Sequence, residues 1–390
     1  MNTPAEKIYV SVIFMDIGHA SADPLPVRKD LPDEQQFFAA LPSPPKIPFG
    51  IWPHPAIISP NNFVYKSLSS WAFNIAVGCS HGCTFCYVPS SSTNKLAKPL
   101  SGYGVTDPDE QWGRYVLLRS WDEPKFLASL RAAELTPRKH LNPDGNRAVI
   151  YCSTTDPYQV FRHPDQEQRK HLTLSARYLV RRSLELIRDH STLNVRILTR
   201  SPLAKRDFDL FQSFGKRLLF GMSLPTLRDD LARVYEPRAP SPIQRLKTLR
   251  AAKEAGLHVF VAMAPTYPEC DEVDLEATLQ AVAELDPITI FHEPINIRAE
   301  NVERIKAQGN ACGVSLNTDV FASATSWQDY ARGQLKAVYQ LAKRHRLTRQ
   351  LHLWPDKSLG SRSSLRLMKD PDHYLAWLER QWNRVSAWPQ

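Results

Sequence analysis

Three cysteines fall within eight residues, in the run Cys79-Ser80-His81-Gly82-Cys83-Thr84-Phe85-Cys86. Thiols this close along a chain read as metal ligands, and the remaining cysteines (Cys152, Cys270 and Cys312) are scattered. With C-x3-C-x2-C spacing on one tight loop, Cys79, Cys83 and Cys86 can hold three irons of a [4Fe–4S] cube. A stable cube normally takes four cysteines, so one iron stays open to bind and reduce a second molecule. Zinc is the competing reading, with His81 or a distant cysteine as fourth ligand. Zinc sites usually show two separated ligand pairs, and no second pair is present. An electron carrier or redox sensor would use the same three thiols, so the loop by itself does not make an enzyme. Gly78 and Gly82 allow it to curl tightly. Six cysteines in 390 residues are too few for a disulfide scaffold. Their clustering predicts a reducing, cytoplasmic setting.

A cluster loop needs a rigid frame. From Trp71 onward, short apolar runs alternate with amphipathic stretches. The runs are Phe73–Gly78, Ala148–Cys152, Leu193–Thr199, Arg217–Ser223, Leu257–Ala262 and Pro287–Phe291. Helices are predicted near Glu123–Glu134, Gln166–His190, Leu203–Phe214, Pro242–Ala255 and Val273–Leu285. Ser241 suits the N-cap of the fourth helix, Pro242 its first position and Gly256 its stop. Runs that are apolar throughout, separated by helices, imply parallel strands with right-handed crossovers. Six repeats are too few for an eight-fold barrel. The expected fold is α/β, a partial (β/α)6 TIM-like barrel with N- and C-terminal extensions and its chemistry at the C-terminal strand ends. The extensions are a proline-rich, irregular segment over residues 1–70 and a helical, basic, tryptophan-bearing segment over 311–390, flanking a barrel over 71–310. Composition near 20–33 suits a chain without fixed structure.

The motif C-x3-C-x-aromatic-C, with Phe85 as the aromatic, resembles the signature of the radical S-adenosylmethionine (radical SAM) superfamily. CSHGCTFCY over 79–87, TDPYQ over 155–159, ILTRS over 197–201 and EPRAPSP over 236–242 are similar to its spore photoproduct lyase-like branch. The resemblance covers about residues 71–300. It implies a lyase- or transferase-like enzyme that reductively cleaves SAM to methionine and a 5′-deoxyadenosyl radical, which abstracts hydrogen from a substrate. Its implied cofactors are a [4Fe–4S] cluster and SAM, and its implied partner is an external reductant such as flavodoxin or ferredoxin.

Carried over residue by residue, the resemblance gives Phe85, Ser153, Thr155, Asp156, Arg200 and Ser223 as SAM-contacting positions. Asp156 is expected to meet the amine; a turn-forming role before Pro157 is the alternative. Arg200 would meet the carboxylate as a fork, and Ser223 the ribose. Tyr87 and Cys152 correspond to a hydrogen-atom relay. Matching Thr155-Asp156 to the branch's serine-aspartate puts Ser153 rather than Cys152 at the donor position, and a one-residue slip reverses the face of a strand. Cys152 could equally be a small buried apolar residue. His292, Glu293 and Asn296 end the sixth run, and the loop Leu351–Lys357, with Trp354 and Lys357, could close over a substrate.

No apolar run approaches the ~18 residues of a membrane span, and no signal peptide is evident at the N-terminus. The net charge of +9 is uneven: ten Lys/Arg face four acids over Leu341–Gln390, with four tryptophans among them. Cations interleaved with aromatics suit a phosphate backbone with stacked bases. An amphipathic helix with a solvated face gives the same composition. Two substrate classes therefore stand open, a nucleic-acid base or DNA lesion, and a peptide or small metabolite.

Overall fold

The computed structural model describes residues 48–61, 68–298, 300–366 and 368–390. Most of the expected irregular N-terminal segment, including residues 20–33, lies outside them. Eleven strands are present among the described residues: β1 (Phe49–Pro55), β2 (Ile58–Pro60), β3 (Trp71–Phe73), β4 (Ala76–Gly78), β5 (Val116–Ser120), β6 (Ala148–Tyr151), β7 (Asn194–Thr199), β8 (Leu218–Ser223), β9 (Val259–Thr266), β10 (Thr289–Pro294) and β11 (Leu351–Leu353). The main helices are α1 (Glu123–Glu134), α2 (Gln166–His190), α3 (Phe208–Gln212), α4 (Asp229–Tyr235), α5 (Pro242–Glu254), α6 (Glu272–Ala283), α7 (Asn301–Cys312), α8 (Ala324–Arg344) and α9 (Pro371–Trp382).

Eight strands form one sheet in the order β11-β10-β9-β8-β7-β6-β3-β2. From β3 to β11 every pairing is parallel, and only β2 runs antiparallel at its edge. This is the α/β, barrel-type architecture expected of the alternating runs. β6 and β8 are buried at every residue, so both sheet faces are covered. Val195 and Ile197 pack in the main helix–sheet core, while Leu198, Leu219, Phe260 and Phe291 pack in a separate inner cluster. Local signals start the helices. Asp122, Asp165, Ser241 and Asp271 each accept a backbone hydrogen bond at an N-cap, and Ser241 forms a capping box with Gln244.

The structure departs from the sequence expectation in four places, the first being that the segment expected to be irregular forms β1 and β2 over its described residues. The first run splits: β3 joins the large sheet, whereas β4 pairs antiparallel with β5 in a small sheet completed by β1. Asn74 causes the break, because its Oδ1 accepts from the backbone N–H groups of Ser153 (2.9 Å) and Thr154 (2.9 Å) in place of ladder pairing. The segment at Leu203 begins as a 3-10 turn over Pro202–Asp207 before α3. The Leu351–Lys357 loop contains β11, a seventh parallel strand beside β10. Three residues are too few to display a strand period in sequence.

The C-terminal residues return to the sheet. Ser386 N donates to Asp144 Oδ1 (2.6 Å), and Trp388 Nε1 donates to Lys216 O (2.8 Å). The Trp388 ring lies 5.1 Å from the guanidinium carbon of Arg196 on β7, which also faces Phe260 (5.3 Å) and Phe291 (5.4 Å). Arg196 is fully buried and its three guanidinium nitrogens have no hydrogen-bond partner among the described residues. Cation–π contact with three rings compensates part of its desolvation. Burial holds its pKa down to about 10.

Candidate active site

The cysteine loop starts where β4 ends. Gly78 has φ +88°, and a Cβ there would come within 2.3 Å of Tyr115 O. Gly82, at φ +58°, lies so close to Gly113 that a Cβ would meet its Cα at 3.0 Å. Both positions therefore require glycine, and the loop is pressed against the segment leading into β5.

Three elements hold this loop. Gln159, after β6, accepts from Ser80 N (2.7 Å) and donates to Thr155 Oγ1 (2.7 Å), which donates in turn to Gly78 O (2.7 Å). Thr84 N donates to Tyr235 O at the end of α4 (2.9 Å). From α7, Arg304 Nε donates to Thr84 O (3.1 Å), its Nη2 donates to Cys86 O, and it pairs with Asp109. Asn301 Nδ2 donates to Phe85 O (3.3 Å). Arg304 and Asn301 carried no sequence signal as loop supports, because their partners are carbonyls more than two hundred residues away.

Cys79, Cys83 and Cys86 are free thiols. Burial pushes each up to about 12; the charge of Asp156 adds to this at Cys79 and that of Cys83 at Cys86. A metal displaces such protons outright on binding. Among the described residues, no three His, Cys, Asp or Glu side chains gather closely enough to hold a single metal ion. Three thiols at C-x3-C-x2-C spacing on one loop fit a donor set in which each takes a different iron of one cube. His81 is turned away to Asp156, with Nδ1 3.5 Å from Oδ2, and burial lowers its pKa.

Asp156 sits at the end of β6 and is buried. Its oxygens accept from Tyr158 N (2.8 Å), Thr199 Oγ1 (2.7 Å) and Arg200 N (2.8 Å). The carboxylate expected to meet a SAM amine thus already accepts three hydrogen bonds, two of which tie β6 to β7. Ser223 Oγ donates to Ala264 O (3.2 Å) and keeps its acceptor lone pairs. The Ser153 hydroxyl accepts from Asn74 Nδ2 (3.1 Å).

Arg200 differs. Its Nε donates to Glu236 Oε1 (2.5 Å), and Glu236 also pairs with the fully buried Arg245. Burial would raise the Glu236 pKa, but Arg245 and Arg200 overcome it and lower it. Burial opposes the charge on Arg200, yet Glu236 outweighs it and the guanidinium stays fully ionised. The guanidinium carbon stands 5.7 Å from the Phe85 ring, over the cysteine loop. Its terminal nitrogens have no protein partner among the described residues. Phe85 also neighbours Tyr267 (5.9 Å), whose ring stacks on Tyr235 at 3.9 Å.

Tyr87 OH donates to Ser153 O (2.9 Å), which brings it beside the end of β6. Cys152 is 6% exposed; burial raises its pKa, and the charges of Asp156 and Cys79 add to the effect. Tyr87, Cys152 and the cysteine loop therefore share one rim. Of the other strand-end candidates, Asn296 lies beside the loop, its carbonyl accepting from the same Asn301 Nδ2 that donates to Phe85 O. His292 is buried with Nε2 against Thr266 Oγ1 (3.1 Å), and Asn296 Nδ2 donates to Asp356 Oδ2 (2.6 Å). Lys357 lies over the Trp382 ring (3.6 Å), and Trp354 is buried in the inner cluster.

The Radical SAM superfamily pattern matches residues 73–282, more than half of the chain. The chain belongs to the radical SAM superfamily, whose cofactors are a [4Fe–4S] cluster and SAM, and it is an enzyme of that class. Within the superfamily its fold is similar to solved spore photoproduct lyase. One mutant matches with TM-score 0.54 at 14% identity, over 79% of this chain and 81% of that one. Another, solved with bound AdoMet and dinucleoside spore photoproduct, matches with TM-score 0.52 over the same shares. This likeness is one of fold. The chain is 31% identical to an uncharacterized protein, ORF301, of Acidianus two-tailed virus, over 67% of this chain and 82% of the viral one. It is 25% identical to the uncharacterized protein Rv2578c of Mycobacterium tuberculosis, over 49% of this chain and 48% of that protein. Among the described residues no helix is long and apolar enough to cross a membrane.

Proposed function

We propose that Cys79, Cys83 and Cys86 hold the cluster, that Arg200 binds the SAM carboxylate, and that the substrate is a nucleic-acid base or DNA lesion. The observation that carries this is the arrangement at the strand rim: three thiols on one clamped loop, Cys79 and Cys83 buried and Cys86 half-buried, with an ionised arginine over Phe85 of the same loop. A cluster held by Cys79, Cys83 and Cys86 would supply the one-electron reduction that SAM cleavage needs. The protein's part is positional. Glu236 and Arg245 fix the Arg200 fork so that its free terminal nitrogens suit a bidentate carboxylate. Thr155 and Gln159 hold the loop's carbonyl and amide groups, and Asp156 keeps β6 and β7 in register beneath it. Tyr87 and Cys152 serve as the hydrogen-atom relay, with the phenol anchored on the Ser153 carbonyl next in sequence to the thiol.

The spore photoproduct lyase fold and the basic, aromatic C-terminal segment support the nucleic-acid substrate. Free thiols at all six cysteines support a reducing, cytoplasmic setting with an external reductant such as flavodoxin or ferredoxin. Anaerobic reconstitution should give about four iron and four sulfide per chain. Reduced protein should then release 5′-deoxyadenosine from SAM, and Cys79→Ala, Cys83→Ala or Cys86→Ala should each abolish it. Zinc as the sole metal would end the reading. Turnover against irradiated DNA, RNA and cell extract, read by mass spectrometry, tests the substrate. A product from a peptide or metabolite alone would replace the nucleic-acid class.

A further inference from the structure

Away from the strand rim, Arg332, Leu335, Lys336, Tyr339, Tyr374 and Trp377 line a groove of about 300 Å³ between α8 and α9. Leu335 is buried, whereas Tyr339 is 43% exposed at the mouth. Tyr374 and Trp377 stack nearly parallel, with ring centres 6.0 Å apart and planes 14° apart. The volume is at the low end of the range for small-ligand pockets, about 300–1,000 Å³, and admits one aromatic ring system.

The two charged residues that line the groove, Arg332 and Lys336, are both cations. Arg332, Lys336, Tyr339 and Lys343 recur at helical spacing, so cations and ring share one face of α8. Lys336 and Lys343 are exposed and have no ion-pair partner among the described residues. Arg332 is held by Asp329 and donates to Ser364 Oγ (2.7 Å), which brings the short segment with exposed Arg362 and Arg366 to one end. Another part of α8 is neutralised: Arg344 pairs with Glu272 (3.4 Å) and Glu276 (3.0 Å) on α6. A helix that matches its cations to acids where it packs, and leaves others bare beside open rings, presents a surface for an anionic partner with flat apolar groups. Acidic peptides would use the cations but not the stacked rings, and an apolar helix would use the rings but not the cations.

We infer that the α8–α9 groove binds single-stranded nucleic acid, with a base stacked on Tyr339 or the Tyr374–Trp377 pair and phosphates on Lys336 and Lys343. This rests on the nucleic-acid reading above and adds to it a docking surface separate from the SAM site.

The test is fluorescence anisotropy of labelled oligo-dT and oligo-U with the reconstituted full chain, across a salt series. Tyr339→Ala, at an exposed position, should weaken binding by roughly 5- to 150-fold, the range for one stacked base. Lys336→Gln with Lys343→Gln should flatten the log–log salt slope by about 1.4, at about 0.7 per phosphate on single strands. Trp377→Phe keeps a ring and should retain most of the affinity, and 5′-deoxyadenosine release without substrate should be unchanged in every variant. Preference for oligo-dT or oligo-U assigns the strand chemistry within the proposal. If the wild type binds but Tyr339→Ala and the double glutamine variant bind equally well, the groove is refuted while the substrate class stands. If the wild type binds neither probe, the groove is refuted, and a modified base in the mass-spectrometric assay would still uphold the substrate class. Self-association abolished by Tyr339→Ala would reassign the surface to a second copy of the chain and overturn the proposal.

Discussion

Replacing Arg200 with alanine separates a cofactor contact from a structural ion pair. The wild-type side chain spends its Nε on Glu236 and leaves its terminal nitrogens over the cysteine loop. A charge-assisted hydrogen bond contributes about 1.5–3 kcal/mol, so SAM affinity should fall by roughly 10- to 150-fold. Folding should survive, because Glu236 keeps Arg245 as its partner. Glu236→Gln acts in the opposite order. It leaves two guanidiniums without their shared counter-charge, and breaking a buried pair in this way costs about 3–5 kcal/mol. Because the folded-state pKa of Glu236 is lowered, its contribution to stability is complete above the ordinary carboxyl value of 4.5 and is lost as pH falls through the lower folded value. Glu236→Gln should accordingly flatten the acid limb of stability below about pH 4.5. Equilibrium SAM binding by reconstituted protein without substrate, paired with chemical denaturation, reads both effects. If Arg200→Ala binds SAM within twofold of wild type at equal iron content, the reasoning fails and Arg200 is only the partner of Glu236.

Three further outcomes follow from the geometry. Gly78→Ala should lower iron incorporation sharply, because its Cβ would collide with the Tyr115 carbonyl; wild-type iron content would show that the loop can yield. Tyr87→Phe should still release 5′-deoxyadenosine yet form less repaired or modified product per SAM consumed, and unchanged coupling would remove Tyr87 from the relay. Burial holds His292 down to about 3, so its neutral form stabilises the fold fully above the unfolded value of 6.5 and progressively less as pH falls from there toward 3. His292→Gln should therefore lose about 2 kcal/mol less stability than wild type between pH 6.5 and 5 in denaturant titrations; an equal loss would place the acid sensitivity elsewhere, His352 being the next candidate.

The frame was legible in sequence because its signals are local. Apolar runs placed β6 to β10 within a few residues, and Ser241-Pro242 marked the start of α5 with its own capping chemistry. The cysteine loop was legible through spacing alone. Less legible was anything decided by a distant partner. Asn74 diverts β4 out of the large sheet through backbone groups just past the C-terminal end of β6. Asp156 reads as a free carboxylate until Thr199 and Arg200 arrive from β7. Charge counting likewise treated the C-terminal cations as equivalent, although Arg344 is neutralised by α6 and Lys343 has no ion-pair partner among the described residues. Residue type predicts what a side chain can do; only the fold decides which of its atoms are already engaged.

The aromatic enclosure of Arg196 bears on how the molecule is assembled. Parallel strands from β3 to β11 lie side by side in the order in which they occur along the chain, so each can add to its predecessor as synthesis proceeds. Arg196 is laid down early, on β7, but one of its three rings belongs to Trp388, which follows every strand. Until Trp388 arrives, a strand already in the sheet carries a cation with one face open to water. The nascent barrel thus keeps a hydrated charge in its interior; docking of the C-terminal segment removes that water, and the Trp388 ring offsets part of the desolvation. Late docking of this kind makes the segment a checkpoint for completion: a chain stopped before Ser386 would have all its strands and still lack a dry interior.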